Sequence, residues 1–173
     1  MKIEILYPEI CTLYGDKGNT MYLQKCLPDA EFVTTGLNEK PLFLKENIDM
    51  VYMCSMSEKS QELVLDRLMQ YKDEIAACMK DGKALFLLVG NSMELKREDG
   101  TRVTGLGVVP GMYSVRQTPN RFNTLIKAKF NDMTLIGYTS RFAHTYGIPD
   151  DMTFCKVEIG QGSNPDTMNE GIC

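Results

Sequence analysis

The chain has 173 residues, 43% of them hydrophobic and 24% charged, with a formal net charge of −4. That length suits one domain around a sizeable core, and the acidic balance excludes nucleic acid as the main partner, because phosphate binding wants a basic face. No apolar run reaches membrane-spanning length and residues 1–7 alternate like a strand with no signal-peptide core, so a cytoplasmic protein without membrane insertion is expected.

In chain order, Lys2–Leu6 reads as a first strand. Gly15-Asp16-Lys17-Gly18-Asn19 is a turn, and Asn19 or Thr20 is expected to cap a helix running to about Leu27. Glu31–Thr35 reads as a second strand and residues 48–53 as a third, compact and apolar. Leu63, Val64, Leu68, Tyr71, Ile75 and Met79 follow at helical spacing, which predicts one long amphipathic helix with Gly82 as its C-cap. Residues 84–89 form a continuous apolar run, the mark of a strand covered on both faces. The order β-α-β-β-α-β predicts an α/β protein with a mainly parallel, doubly wound sheet.

The second half has a different texture. Glu98-Asp99-Gly100-Thr101 reads as a turn and residues 105–111 as a glycine-rich connector. Residues 123–130 and 133–138 alternate and are joined by Asn131-Asp132, which predicts an antiparallel hairpin. Residues 156–159 suit one more strand, and the polar, glycine-rich stretch from Gln161 onward is expected to be loop.

The six cysteines, Cys11, Cys26, Cys54, Cys78, Cys155 and Cys173, include no C-x-x-C pair and read as reduced, half-buried thiols. With one histidine, His144, no zinc site and no other metal site is expected. The most informative stretch is Phe86-Leu87-Leu88-Val89-Gly90-Asn91-Ser92-Met93-Glu94-Leu95, which reads as a buried strand, a tight turn and a short helix. Such elbows present a nucleophile in α/β enzymes, because the turn lifts one side chain onto a helix N-terminus. Here the apex is Gly90, which has no side chain to present.

Several motifs are similar to those of one family. Leu6-Tyr7-Pro8-Glu9 and then Leu13-Tyr14-Gly15-Asp16-Lys17-Gly18-Asn19 match L-Y-P-D and L-Y-G-D-R-G-N. Gln61-Glu62-Leu63-Val64 matches a helix start Q-E-L-V, Asp99-Gly100 and Gly105-Leu106-Gly107 match D-G and G-L-G, and Gly160-Gln161-Gly162-Ser163-Asn164 with Glu170-Gly171 is similar to G-x-G-N-N and E-G. On these residues the chain resembles, over essentially its whole length, the glutamine amidotransferase domains of the cobyric acid synthase type. Within that group it looks most like the glutaminase subunits of lipid II isoglutaminyl synthases. The resemblance implies a single glutamine-amidotransferase-like domain with a flavodoxin-like, three-layer class I fold and no cofactor. It also implies a heterodimer with a Mur-ligase-like synthetase, which receives ammonia released from glutamine by a cysteine, an oxyanion loop and a histidine base.

The chain departs from that pattern at each catalytic part. The family elbow F-L-A-V-C-G-G-Y-Q-L sets Gly90 at the nucleophile, followed by Asn91 and Ser92. The oxyanion loop G-G-G-Q-D becomes Cys54-Ser55-Met56-Ser57-Glu58, and losing one oxyanion donor costs about 100- to 1000-fold in rate. The substrate segment G-F-E-N-H-G-G-R-T corresponds to Gly137-Tyr138-Thr139-Ser140-Arg141-Phe142-Ala143-His144-Thr145, leaving Arg141 and His144 as pocket positions, with His144 where the family has arginine and read as a surface or locally bonded residue. The family base lies in a G-T-Y-L-H-G-P segment beyond E-G, whereas the sequence ends at Cys173; either that segment follows beyond Cys173 or the histidine is gone.

The expectation is therefore a partner-binding subunit without glutaminase activity, its synthetase using free ammonia or another nucleophile. Two alternatives stay open: a working glutaminase with an unrecognised nucleophile, Cys54 first, and a small-ligand module reusing the old pocket, with glutamine among the candidates. The loop Tyr14, Gly15, Asp16, Lys17, Gly18 and Asn19 is open to three readings: a capped turn, a partner contact, or an anion cradle at a helix N-terminus, though it lacks G-x-G-x-x-G or Walker spacing. The amidated product stays open between lipid II, in peptidoglycan and cell-wall assembly, and a cobyrinate, in cobalamin synthesis.

Overall fold

The computed structural model describes residues 1–82, 84–88, 94–96, 102–103, 105–116 and 121–173. The chain divides into two compact units, Met1–Ser92 and Met93–Cys173.

In the first unit, β1 (Lys2–Leu6), β2 (Glu31–Thr35), β3 (Met50–Met53) and β4 (Leu85–Leu88) form a parallel sheet in the order β2-β1-β3-β4. β1 and β3 are central, and Ile3, Ile5, Leu6, Val51, Tyr52 and Met53 are all buried, as expected of strands covered on both faces. β4 differs from expectation at its start: Leu85 is 65% exposed, and among the described residues β4 pairs with β3 alone. Phe86, one residue on, meets the ring of buried Phe43 edge-to-face at 5.2 Å.

Among the described residues, this unit's helices are α1 (Asp16–Cys26), α2 (Glu58–Met69) and α3 (Lys72–Lys80). The helix predicted to be continuous from Leu63 to Met79 is thus broken between α2 and α3. Val64, Leu65 and Leu68 of α2 and Ile75 of α3 are buried, while Leu63 faces solvent. The break lets each short helix aim its own apolar side at the core, which a periodicity count cannot distinguish from one straight helix. Gly82 takes φ +61 just beyond α3 and donates to Met79 O at 3.2 Å, the left-handed helix end anticipated for it.

Among its described residues, the second unit holds two four-stranded sheets. β5 (Glu94–Lys96), β6 (Arg102–Val103), β7 (Tyr113–Arg116) and β10 (Ala143–Tyr146) take the order β10-β7-β5-β6, so Glu94 and Leu95, expected in a short helix after the Gly90 turn, lie instead in a strand held by pairing with β6 and β7. β8 (Phe122–Phe130), β9 (Met133–Arg141), β11 (Thr153–Ile159) and β12 (Asn169–Ile172) form an antiparallel sheet ordered β12-β11-β8-β9. The predicted hairpin is β8–β9: it closes with Phe130 opposite Met133, Asn131 takes φ +51 in the turn, and the pairing runs on to Arg141. Ala128, Cys155 and Val157, backed by Ile126, Phe130 and Leu135, make the core on one face of this sheet.

The stretch after Gln161 is a correction. It contains β12, paired with β11 through Cys155–Glu170 and Lys156–Asn169. Its polar residues carry no period-two signal because the strand is held by backbone ladder bonds and half-buried side chains. Gly160 starts that return at φ +101, where a Cβ would stand 2.4 Å from Leu125 O. The predicted turn at residues 98–101 lies outside the described residues.

Candidate functional site

In an open parallel sheet, ligands and partners meet the carboxyl ends of the strands where the strand order reverses. In the order β2-β1-β3-β4 that point lies between β1 and β3. The segments following these strands meet there: Leu13 N–H donates to Ser55 O at 3.2 Å. The stretch from Leu13 to Asn19 and the segment Cys54, Ser55, Met56, far apart in sequence, are therefore neighbours in space.

The first segment winds into a 3-10 turn, Leu13–Gly15, and then into α1. Gly15 stands at the N-cap of α1 with φ +82 and no side-chain capping bond, so the turn is made by a left-handed backbone that glycine adopts without a Cβ penalty. The cap expected at Asn19 or Thr20 is corrected: both lie inside α1, which begins at Asp16. Lys17, Gly18 and Asn19 are exposed along its first turn. No described side chain of α1 is buried, and Met21 and Tyr22 are 54% and 69% exposed. Thr20 and Leu23 are half-buried, and the other described side chains of α1 are exposed.

The second segment is closed. Cys54 is 3% exposed at the end of β3, while Ser55 and Met56 are half-buried. Ser57 ends the segment as the N-cap of α2, its Oγ accepting from Ser60 N–H at 3.2 Å. Serine here serves the helix start. Gly90, Asn91 and Ser92 lie outside the described residues, which on this side of the sheet stop at Leu88, the last residue of β4.

Beneath the strand ends lies a polar layer that a sequence reading passes over. Glu4, in the middle of β1, is fully buried. Its carboxylate accepts from the Thr35 hydroxyl and, at 2.8 Å each, from Leu42 N–H and Phe43 N–H at the start of the 3-10 turn Leu42–Leu44. Tyr7 follows β1 at φ +53, an uncommon conformation for a non-glycine residue. Its N–H donates to Thr35 O and its carbonyl accepts from Ile10 and Cys11. Its buried hydroxyl has no hydrogen-bond partner among the described residues, and burial, then the Glu4 charge, raises its pKa. Glu9 carries the same junction outward, accepting from Leu37 N–H at 2.6 Å. The Leu6-Tyr7-Pro8-Glu9 motif thus fixes the chain between β1 and the loop after β2. The signal for Glu4 was a lone carboxylate within an apolar strand. Near the carboxyl end of β2, a cavity of about 240 Å3 is lined by Leu37, Asn38, Glu39, Arg67, Gln70 and Tyr71.

No protein-family model matches this sequence, and no curated protein does. Among the described residues no helix is long and apolar enough to cross a membrane.

Arg141 and His144 belong to the second unit, at the end of β9 and on β10. The structure brings them to one loop, residues 161–164. Arg141 donates to Gly162 O at 2.9 Å and Ser163 O at 3.4 Å and pairs with Glu170 at 3.1 Å. His144 is 6% exposed, hydrogen-bonds the Ser163 backbone and meets the Phe122 ring at 5.5 Å. It is locally bonded, as one of the two sequence options had it, and not on the surface. Burial lowers its pKa below the ordinary value and the Arg141 charge pushes the same way, against the Ser163 bond and Asp166. The imidazole is therefore mainly neutral at pH 7. Asn164 ties the loop down, donating to Thr145 O at 2.6 Å and accepting from Asp166 N–H at 2.9 Å. In this arrangement Arg141 and His144 hold a loop by its backbone carbonyls.

Proposed function

We propose that the chain is a class I glutamine-amidotransferase-like subunit of the cobyric acid synthase and lipid II isoglutaminyl synthase type. In this reading it lacks glutaminase chemistry and works as the partner-binding subunit of a Mur-ligase-like synthetase. The observation that carries it is α1. The loop with the tightest motif likeness leads straight into a helix that buries no described side chain and presents Met21 and Tyr22 to solvent. Exposed apolar residues on a helix whose described side chains are no more than half-buried, beside a strand switch point, suit a protein partner, because covering them removes apolar surface from water. The parallel order β2-β1-β3-β4 supports the flavodoxin-like reading, since it repeats the first four places of the order 2-1-3-4-5.

Two observations weigh against a working glutaminase. The residue at the nucleophile position is Gly90, and Cys54, the nearest substitute in the motif alignment, is closed off from solvent at the end of β3. A nucleophile must reach its substrate, and Cys54 is 3% exposed.

The test is reconstitution with the Mur-ligase-like synthetase of the same organism. Tyr22→Glu and Met21→Glu are expected to abolish co-elution with the synthetase while leaving the circular dichroism spectrum unchanged, and Lys25→Glu, at the far end of α1, to leave the complex intact. A wild-type chain that never co-elutes with that synthetase overturns the proposal.

A further inference from the structure

The outer face of the sheet β12-β11-β8-β9 carries a row of unbalanced charge. Strand register sets Asn169, Lys156, Lys129 and Thr134 side by side across the four strands. Directly opposite residues bring their Cβ atoms within about 5 Å of each other, where like charges are unfavourable. The next cation along β8, Lys127, is neutralised by Glu158 at 2.8 Å. Lys129 and Lys156 have no carboxylate at ion-pair distance among the described residues. Lys129 instead donates to Thr134 Oγ1 at 2.6 Å, on the side away from Lys156.

A cavity of about 420 Å3 opens at this pair, with Lys129, Lys156, Thr153, Phe154, Asn169 and Asp150 in its lining. Asp150 is its acidic member, and its Oδ1 accepts from Asn169 Nδ2 at 2.7 Å. Two ammonium groups against one carboxylate leave the lining with surplus positive charge. Phe154, stacked on Phe130 at 4.5 Å between ring centroids, supplies an apolar wall.

We propose that this cavity binds a small phosphate monoester. The dianionic phosphoryl group sits between Lys129 and Lys156, and the organic part lies against Phe154. A dianion relieves the repulsion of the facing lysines more fully than a carboxylate does. Lysine's compact point charge suits phosphate oxygens, and the cavity has room for more than a bare phosphate. Binding turns the Lys129 ammonium from Thr134 toward the ligand.

The experiment is calorimetric titration of the full chain in phosphate-free buffer at low salt with phenyl phosphate, inorganic phosphate and acetate. Phenyl phosphate is expected to saturate and to bind more tightly than inorganic phosphate, with acetate giving no saturation. Lys129→Ala and Lys156→Ala should each weaken phenyl phosphate binding by about tenfold or more, while Lys127→Ala/Glu158→Gln, which removes a balanced ion pair outside the cavity lining, leaves it unchanged. Phe154→Ala should remove the advantage of phenyl over inorganic phosphate. Lys156→Gln provides a second variant with the stem retained. No saturable binding of phenyl phosphate to the wild-type chain overturns the proposal, as does equal binding of acetate or undiminished binding by the Lys129→Ala/Lys156→Ala double variant.

Discussion

Glu4 shows how a single residue organises the unit around it. A buried carboxylate is tolerated only with donors aimed at it, and Glu4 has three: the Thr35 hydroxyl and the Leu42 and Phe43 amides. Glu4→Ala leaves two buried amides and a hydroxyl unsatisfied, so it is expected to cost about 3–5 kcal/mol in urea unfolding, against about 1 kcal/mol for Thr35→Val. His144 acts at the same scale through pH. Its folded pKa is lowered, so the unfolded chain takes up a proton first as pH falls. Its contribution is present above about pH 6.5 and lost as pH drops from there toward the folded pKa. The wild-type chain should therefore lose more stability than His144→Gln between pH 7.5 and pH 5.5, as read from urea midpoints; a parallel loss in both proteins excludes this assignment. Neither residue's burial was legible beforehand. Glu4 sits in a pattern that also fits an exposed alternation, and His144 was weighed between surface and local bonding, because burial depends on what packs above a residue.

At the level of elements, turns and caps were read well where one residue type is nearly obligatory. Asn131 adopts φ +51 in the β8–β9 turn, a conformation asparagine tolerates and branched residues resist. Asn131→Val should destabilise by about 1–2 kcal/mol and Asn131→Gly should be neutral or better, as measured by thermal unfolding. Ser57→Ala removes the cap of α2 and should cost about 1 kcal/mol by the same measurement. The start of α1 was misread because Asn19 is a good cap by type. The backbone turn is made earlier, at Gly15, where a left-handed glycine does the work without a side chain. β5 and β6, of three and two residues, were not anticipated, and neither were β7, β10 and β12. They are short, and their pairing partners lie far off in sequence, so no local period announces them.

For the whole molecule, the functional expectation is an absence of chemistry. Glutamine incubated with the chain, alone or with the proposed synthetase partner, should release ammonia at the background rate, and Cys54→Ser should leave that rate unchanged. A burst of ammonia sensitive to Cys54→Ser would restore the glutaminase reading. By itself the sequence determined the order of the strands in the first unit, the mixed α/β class, the β8–β9 hairpin and the identity of Gly90. These follow from side-chain periodicity, from backbone permissiveness and from which atoms a residue possesses, all of them local properties. Only the tertiary structure decided that the loops after β1 and β3 touch, that Glu4 and Cys54 are closed off while α1 stands open, and that Lys129 faces Lys156 across two strands. Each of these depends on which distant segments pair and in what register, and that is set by the packing free energy of the assembled chain, which no short window of sequence contains.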